Sequence, residues 1–252
     1  MHVVHAMLDV KNHAKAALVV RREDGIARRY AHVGTGNYNA ATAGVYTDLG
    51  LFTAREAPCA DVHDLFNALT GASAPSAQPY RECLVAPAGL LRGLLERIDR
   101  EIEHARSGRG GRIRIKCNGL SDREVVHALY RASQAGVDVD LIVRGICTLC
   151  PGVPGVSDRI RVVSLLGRFL EHARVVHFGG GGEPEYLIGS ADLRPRNLRR
   201  RVEVLAPVRD AEQCARLDRL LDRELAHPTA WELAPDGTYV RRSGAPGAVA
   251  GD

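Results

Sequence analysis

Residues 10–39 read VKNHAKAALVVRREDGIARRYAHVGTGNYN, and the parsing of this stretch decides the fold. Two apolar, β-branched segments, residues 16–20 and 29–33, flank the polar turn Arg22-Glu23-Asp24-Gly25, the pattern of an antiparallel hairpin. His13-Ala14-Lys15 leads into the first segment. Alternate side chains of a strand share a face, so an imidazole and an ammonium are expected to project together toward an anion. At the end of the second segment, Gly34-Thr35-Gly36-Asn37 offers backbone N–H groups and an amide, a concavity of the sort that accepts phosphate oxygens. Histidine, cation and donor loop point together to phosphoryl chemistry.

Working outward, 252 residues suffice for one large domain or two ordinary ones with a buried core. A composition of 45% hydrophobic and 25% charged residues is that of a soluble globular protein, and no apolar run nears the length that crosses a bilayer. The net charge of +4 is modest, but arginine is dense over residues 194–201 (RPRNLRRR), where a focused positive field would recruit anions. Six scattered cysteines and no signal-like start point to a reducing, cytoplasmic setting. Cys147-x-x-Cys150 lacks a second pair and lies in a Pro/Gly loop, which does not make a zinc site.

The opening HVVHAML reads as a strand already under way. Residues 39–45 are a short helix candidate. Apolar residues at Val62, Leu65, Phe66 and Leu69 have helical spacing, with Asp61 as the expected cap. The small, polar stretch 71–79 (GASAPSAQP) is the best linker, dividing a first domain, 1–75, from a second, 80–242. Beyond it the pattern is α/β: a helix over 90–105, a strand over 112–116, and a helix over 121–135 with Ser121 and Glu124 as a capping box. A strand over 137–143 delivers Arg144-Gly145 at its carboxyl end, where α/β sheets present ligand-binding groups. A strand at 160–163, a helical turn at 165–170 and strands at 175–178, 185–188 and 202–204 follow. A helix over 210–225, a strand-like segment over 231–242 and a disordered tail over 243–252 close the chain.

One layout occurs twice. His172-Ala173-Arg174, a hairpin and Gly189-Ser190-Ala191-Asp192 repeat the order of His13-x-Lys15, hairpin and Gly34-Thr35-Gly36-Asn37. Two facing half-sites would let one histidine attack phosphorus while the other handles the leaving or entering oxygen. Lys15, Arg174 and the loops bearing Asn37 and Ser190 would hold the equatorial oxygens. The other histidines lack this context and are assigned no role. Gly34-x-Gly36 is not a dinucleotide fingerprint, because the third glycine is missing.

HxK…GTGN and HxR…GSxD resemble the paired motifs of the phospholipase D superfamily. The wider text is more specific: HAKAALVVRRE, YAHVGTGNYNAATAGVYTDLGLFTA, LIVRGICTLCPGVPGVSDRIRVVSLLGRFLEHARV and IGSADLRPRNLRRRVEVLAPV resemble the C-terminal half of the bacterial polyphosphate kinases that work through a phosphohistidine. The resemblance implies an α/β fold of phospholipase D-like mixed-sheet domains, one partial and one complete. It also implies reversible transfer of the terminal phosphate of ATP to polyphosphate, with Mg2+. His13 would be the phosphorylated residue and His172 the second catalytic histidine, a proton donor or transition-state stabiliser. Tyr46 and Arg144, with His172, would contact the nucleotide and its phosphates; the metal ligands are unknown. ATP or ADP and polyphosphate are the implied partners, with no nucleic acid. Self-association and peripheral membrane contact are compatible with such an enzyme.

Some features depart from the family pattern. The chain starts within what would be the first catalytic domain, without two phosphate- and magnesium-binding arginines that the family places earlier, and this puts turnover in question. Pro195 is unexpected after Asp192. A non-catalytic remnant that binds polyphosphate or nucleotide is therefore the rival reading. A phosphodiesterase is disfavoured, because the positions past each histidine motif read Ala-Leu-Val-Val and Val-Val-His-Phe where an acid is usual.

Overall fold

The computed structural model describes residues 10–71 and 80–242. The expected opening strand, nearly all of the linker with the boundary placed in it, and the terminal tail lie outside these residues.

The first strands are β1 (Lys11–Asn12) and β2 (Ala16–Glu23), and His13-Ala14-Lys15 between them is irregular backbone rather than strand. A change of partner explains the break: β1 runs parallel to residues 201–202 in the second half of the chain, whereas β2 pairs antiparallel with β3 (Ile26–Gly34). The hairpin forms as expected but turns over Asp24-Gly25 alone, with φ of 50° and 80°, so its strands are longer than the apolar segments indicated. Such two-residue turns with both φ positive match the twist of the flanking strands.

Next come α1 (Ala40–Ala43), capped by the Asn39 side chain, then β4 (Tyr46–Thr47) and β5 (Gly50–Thr53), which completes a small sheet β2-β3-β5. Helix α2 (Glu56–Leu69) begins earlier than expected, and Asp61 is not its cap. Asp61 lies inside the helix, fully buried, and accepts the backbone N–H groups of Arg81, Glu82 and Cys83 at 2.8 Å each. It thereby ties α2 to the approach to β6 (Leu84–Ala86).

The second half continues with α3 (Leu90–Arg106), β7 (Arg112–Cys117), α4 (Arg123–Gln134), β8 (Asp138–Val143) and β9 (Ile160–Ser164). The cap of α4 is Asp122 rather than Ser121: its carboxylate accepts from the N–H groups of Glu124 and Val125. The helical turn expected at 165–170 does not form. Leu170–Glu171 is instead a short strand, β10, drawn into extended parallel pairing with β4. There follow β11 (Val175–Phe178), β12 (Glu185–Gly189), α5 (Pro195–Arg199), β13 (Arg201–Val208), α6 (Ala211–Leu225), β14 (Trp231–Leu233) and β15 (Tyr239–Arg241). Pro195 occupies the first turn of α5, where its missing N–H has no partner to lose, so the residue that looked out of place starts a helix.

The large sheet has the order β1-β13-β12-β11-β7-β8-β9-β14-β15, with β6 also on β13. Strands β7, β8 and β9 are parallel and the others mainly antiparallel, the mixed α/β class expected. The main core packs α3 and α4 on this sheet around Leu90, Leu94, Leu129 and Phe178, and α6 covers a second cluster around Leu217 and Leu221. A third cluster joins the halves, packing Val33, Val62 and Leu65 against Val202, Val204 and Ala206. The repeated layout is a repeated topology: β2-β3-β5 has the same antiparallel order as β11-β12-β13. The histidine motif precedes the first strand of each set.

Candidate functional site

Each histidine is held by a carboxylate from the opposite half of the chain. His172 Nδ1 lies 2.9 Å from Asp48 Oδ1, across 124 positions of sequence, and His13 Nδ1 lies 2.9 Å from Glu203 Oε2, across 190. Asp48 stands just before β5, and Glu203 is near the start of β13, so the two acids occupy corresponding places in the two repeats. The repeats are thus interlocked by exchange of carboxylates.

The His172 half is the more densely built. Strands β4 and β10 pair through only Leu170↔Tyr46 and Glu171↔Thr47, and this brings the Tyr46 ring to 4.7 Å from the His172 ring. Asp48 Oδ1 also accepts the Thr35 hydroxyl at 2.6 Å. A Cβ at Gly36 would collide with the Asp48 carboxylate, so the glycine of the first loop admits an acid rather than an anion. Arg174 grips Asp192 through Nε and Nη2, both at 3.1 Å, and donates Nη1 to the carbonyls of His172 and Thr35. Nη1 also lies 3.2 and 3.0 Å from the two His172 ring nitrogens, a position over the ring rather than in line with either. Burial depresses the His172 pKa, with the Arg174 charge adding to the effect and Asp48 opposing it. Burial would raise the Asp48 carboxyl, but the bonds from His172 and Thr35 outweigh it and hold the carboxyl below its ordinary range. The resting pair is therefore a neutral imidazole beside a carboxylate.

At the other half, Glu203 is fully buried and bridges His13 to the Asn197 amide, whose Nδ2 donates to Oε1 at 2.7 Å. With Nδ1 so engaged, Nε2 is the His13 nitrogen left for chemistry. Lys15 is buried and donates Nζ to the His13 carbonyl at 2.6 Å, so its ammonium folds back onto the histidine backbone instead of projecting alongside the ring. Burial pulls its pKa down to about 8; Glu203 opposes this and Arg174 reinforces it.

The remaining expected residues separate. Arg174 spends its guanidinium nitrogens within the protein, as a strut between the halves. Ser190 is fully buried; its N–H donates to the Val204 carbonyl and its hydroxyl accepts the Val204 N–H. Asn37 is exposed at the loop end. Arg144 follows β8, and its Nε is buried without a partner. Beside it Asn118 donates Nδ2 to the His172 carbonyl and its own N–H to Asp192, so the Arg144 turn and the His172 segment converge on one residue. Within the arginine run, Arg199 is paired with Asp122 and Glu124. Nothing in the local sequence marks Asp48 and Glu203 as partners of the histidines. Both sit in stretches of family likeness, and the signal available was an acid lying at the third strand of each repeat.

Two family descriptions match the chain: polyphosphate kinase C-terminal domain 1 over residues 1–75 and polyphosphate kinase C-terminal domain 2 over residues 83–249. A protein of Thermosynechococcus vestitus named polyphosphate kinase is 55% identical over 248 residues, 98% of this chain and 34% of the relative. One of Streptomyces coelicolor with the same name is 54% identical over 243 residues, 96% of this chain and 32% of the relative. The crystal structure of polyphosphate kinase from Porphyromonas gingivalis superposes with a TM-score of 0.87 at 37% identity, covering 94% of this chain and 36% of that one. The chain thus spans about a third of the length of the relatives it matches.

Proposed function

This chain belongs to the polyphosphate kinase family, and from that premise we propose that it forms the C-terminal catalytic region of an ATP:polyphosphate phosphotransferase that works through a phosphohistidine at His13. The crossed pairing of two histidines with two carboxylates is the observation that carries the reading, because it orients both rings within one interface between the repeats.

The His13 Nε2 lone pair attacks the γ-phosphorus of ATP, the bond from that phosphorus to the β–γ bridging oxygen breaks, and ADP leaves. A terminal oxygen of polyphosphate then attacks the phosphohistidine, and Nε2 recovers its lone pair. Glu203 supports the positive charge that develops on the His13 ring during attack, as a buried carboxylate does best. The depressed pKa of His172 leaves it neutral at rest, which favours a hydrogen-bonding, transition-state-stabilising role over that of a standing proton donor. Tyr46 on the face of His172 and the unpartnered Arg144 Nε suit a nucleotide and its phosphates. The remaining Lys15 donors suit the transferred group.

Among the described residues, no three His, Cys, Asp or Glu side chains cluster to hold a metal, and Asp48, Asp192 and Glu203 are already committed to histidine, arginine or asparagine partners. The residues do not fit a protein-built magnesium cage. An ion carried in on substrate phosphates, largely hydrated, agrees with the usual chemistry of Mg2+. Among the described residues no helix is long and apolar enough to cross a membrane, and a cytoplasmic setting accords with six free cysteines.

Incubation with γ-labelled ATP tests the proposal. Acid-labile, base-stable label on the wild-type chain that disappears in His13→Ala is the expected result. Label that survives in His13→Ala, or tight polyphosphate binding with no label, overturns it; the latter identifies a binding module.

A further inference from the structure

Next to His172, and largely shielded from solvent, lies a compact charged cluster that phosphoryl transfer does not use directly. Lys116 on β7 is 3% exposed, and its ammonium sits between Glu171 Oε2 on β10 and Glu224 Oε1 on α6. The same Glu171 oxygen accepts the Thr47 hydroxyl at 3.0 Å. Thr47 stands between Tyr46 and Asp48, and Glu171 directly precedes His172. The ladder that joins these segments is two residues long on each side, too short to be rigid by its own backbone bonds.

We propose that Lys116, Glu171 and Glu224 form a positioning clamp for the phosphotransfer site proposed above: the ammonium fixes Glu171, Glu171 fixes Thr47, and Tyr46 and Asp48 on either side of Thr47 are thereby held against His172. The inference rests on that functional reading only for its kinetic consequence. As a support for folding the cluster would be a poor investment, since an apolar trio of similar volume commonly serves a core as well as a buried ion pair. What an apolar trio cannot do is orient the Thr47 hydroxyl. The two carboxylates share one ammonium, and they are not equivalent. Burial pushes the Glu224 carboxyl up, with the Glu171 charge adding and Lys116 opposing, and Glu224 Oε2 is buried without a partner. Glu224 is the member whose charge is costlier to bury, and it makes no bond to Thr47, so glutamine in its place disturbs the site least; Glu171 is the carboxylate that Lys116 and Thr47 share.

The experiment compares full chains bearing Lys116→Met, Glu171→Leu, Glu224→Gln and the triple replacement Lys116→Met/Glu171→Leu/Glu224→Leu. Thermal midpoint, kcat, KM for ATP and the 15N signal of the His172 ring are measured for each. A loosened site should lose about tenfold or more in kcat, and less in KM, for Lys116→Met, Glu171→Leu and the triple, against about threefold or less for Glu224→Gln. The triple should recover the wild-type melting temperature without recovering kcat, and its His172 Nδ1 signal should move as the bond to Asp48 weakens. A triple variant with wild-type melting, kcat and His172 signal overturns the clamp. Should the triple not fold, Thr47→Val carries the same contrast, since it cuts the bond to Glu171 without touching the buried charges. A wild-type chain that transfers no phosphate while the His172 signal still shifts in the variants would sink the functional reading and leave the clamp standing. An active wild type whose variants keep both kcat and signal does the reverse.

Discussion

Replacing Glu203 by glutamine probes the His13 half with the least change of shape. The native carboxylate sits 2.9 Å from His13 Nδ1 through one oxygen and accepts Asn197 Nδ2 at 2.7 Å through the other. Glutamine keeps one acceptor and gains a donor, so it has two ways to lie. With its amide nitrogen toward His13, Nδ1 must become an acceptor, the ring proton moves to Nε2, and the nucleophilic lone pair is lost. With its amide oxygen toward His13, its nitrogen faces Asn197, which must rotate to present Oδ1. That rotation is cheap, because Asn197 Oδ1 is buried and makes no bond in the native arrangement. The second orientation therefore prevails, and what is lost is the assistance of the charge. Hydrogen bonds to ionised groups contribute about 1.5–3 kcal/mol and neutral ones about 0.5–1.5, so the loss is about 1–1.5 kcal/mol, or about 5- to 13-fold in rate. The assay is rapid-quench formation of base-stable label from γ-labelled ATP in a single turnover, with thermal melting alongside. Glu203→Ala, which leaves both His13 and Asn197 unpartnered, should be slower still. Label formed at the wild-type rate in Glu203→Gln would refute the role given to the carboxylate. A loss beyond about a thousandfold with unchanged melting would refute the Asn197 rotation, since that size implies the wrong tautomer.

Two further outcomes follow from the same geometry. Polyphosphate affinity of the free chain should fall as pH rises through about 8, because Lys15 binds an anion only while protonated and burial has brought its pKa down to about 8; Lys15→Arg should remove the step from the titrated binding curve. Asp61→Ala should lower stability by about 3 kcal/mol or more, read from denaturant unfolding, because three backbone N–H groups lose their acceptor; the single-turnover rate well below the melting temperature should change little.

Much of the framework was legible because local chemistry wrote it. The hairpin of residues 16–34, the amphipathic α3, the parallel β7-α4-β8 unit and the repeated order of histidine, hairpin and small-residue loop are all set by side-chain period and turn residues close in sequence. The misreadings have equally local causes. Ser121 and Asp122 are both good caps, and only the backbone path chose the second. Asp61 looked like a cap because an acid before an apolar run usually is one; three N–H groups from residues 81–83 claimed it instead. Residues 165–170 offered helical spacing, but pairing with β4 took their end into a strand.

By itself the sequence determined that this chain is α/β, that it carries one histidine device twice, and that His13, His172, Tyr46 and Arg144 lie in stretches resembling one family. The tertiary structure alone decided which groups hold those residues. Arg174, read from the motif as a phosphate ligand, bonds Asp192 and two backbone carbonyls, and Ser190 bonds Val204, while Asp48 and Glu203 become the partners of the histidines. The reason is physical: the acids lie 124 and 190 positions from the rings they bind, so no period or spacing can report the pairing. Only the packing of one repeat against the other brings each acid to the imidazole of the opposite half.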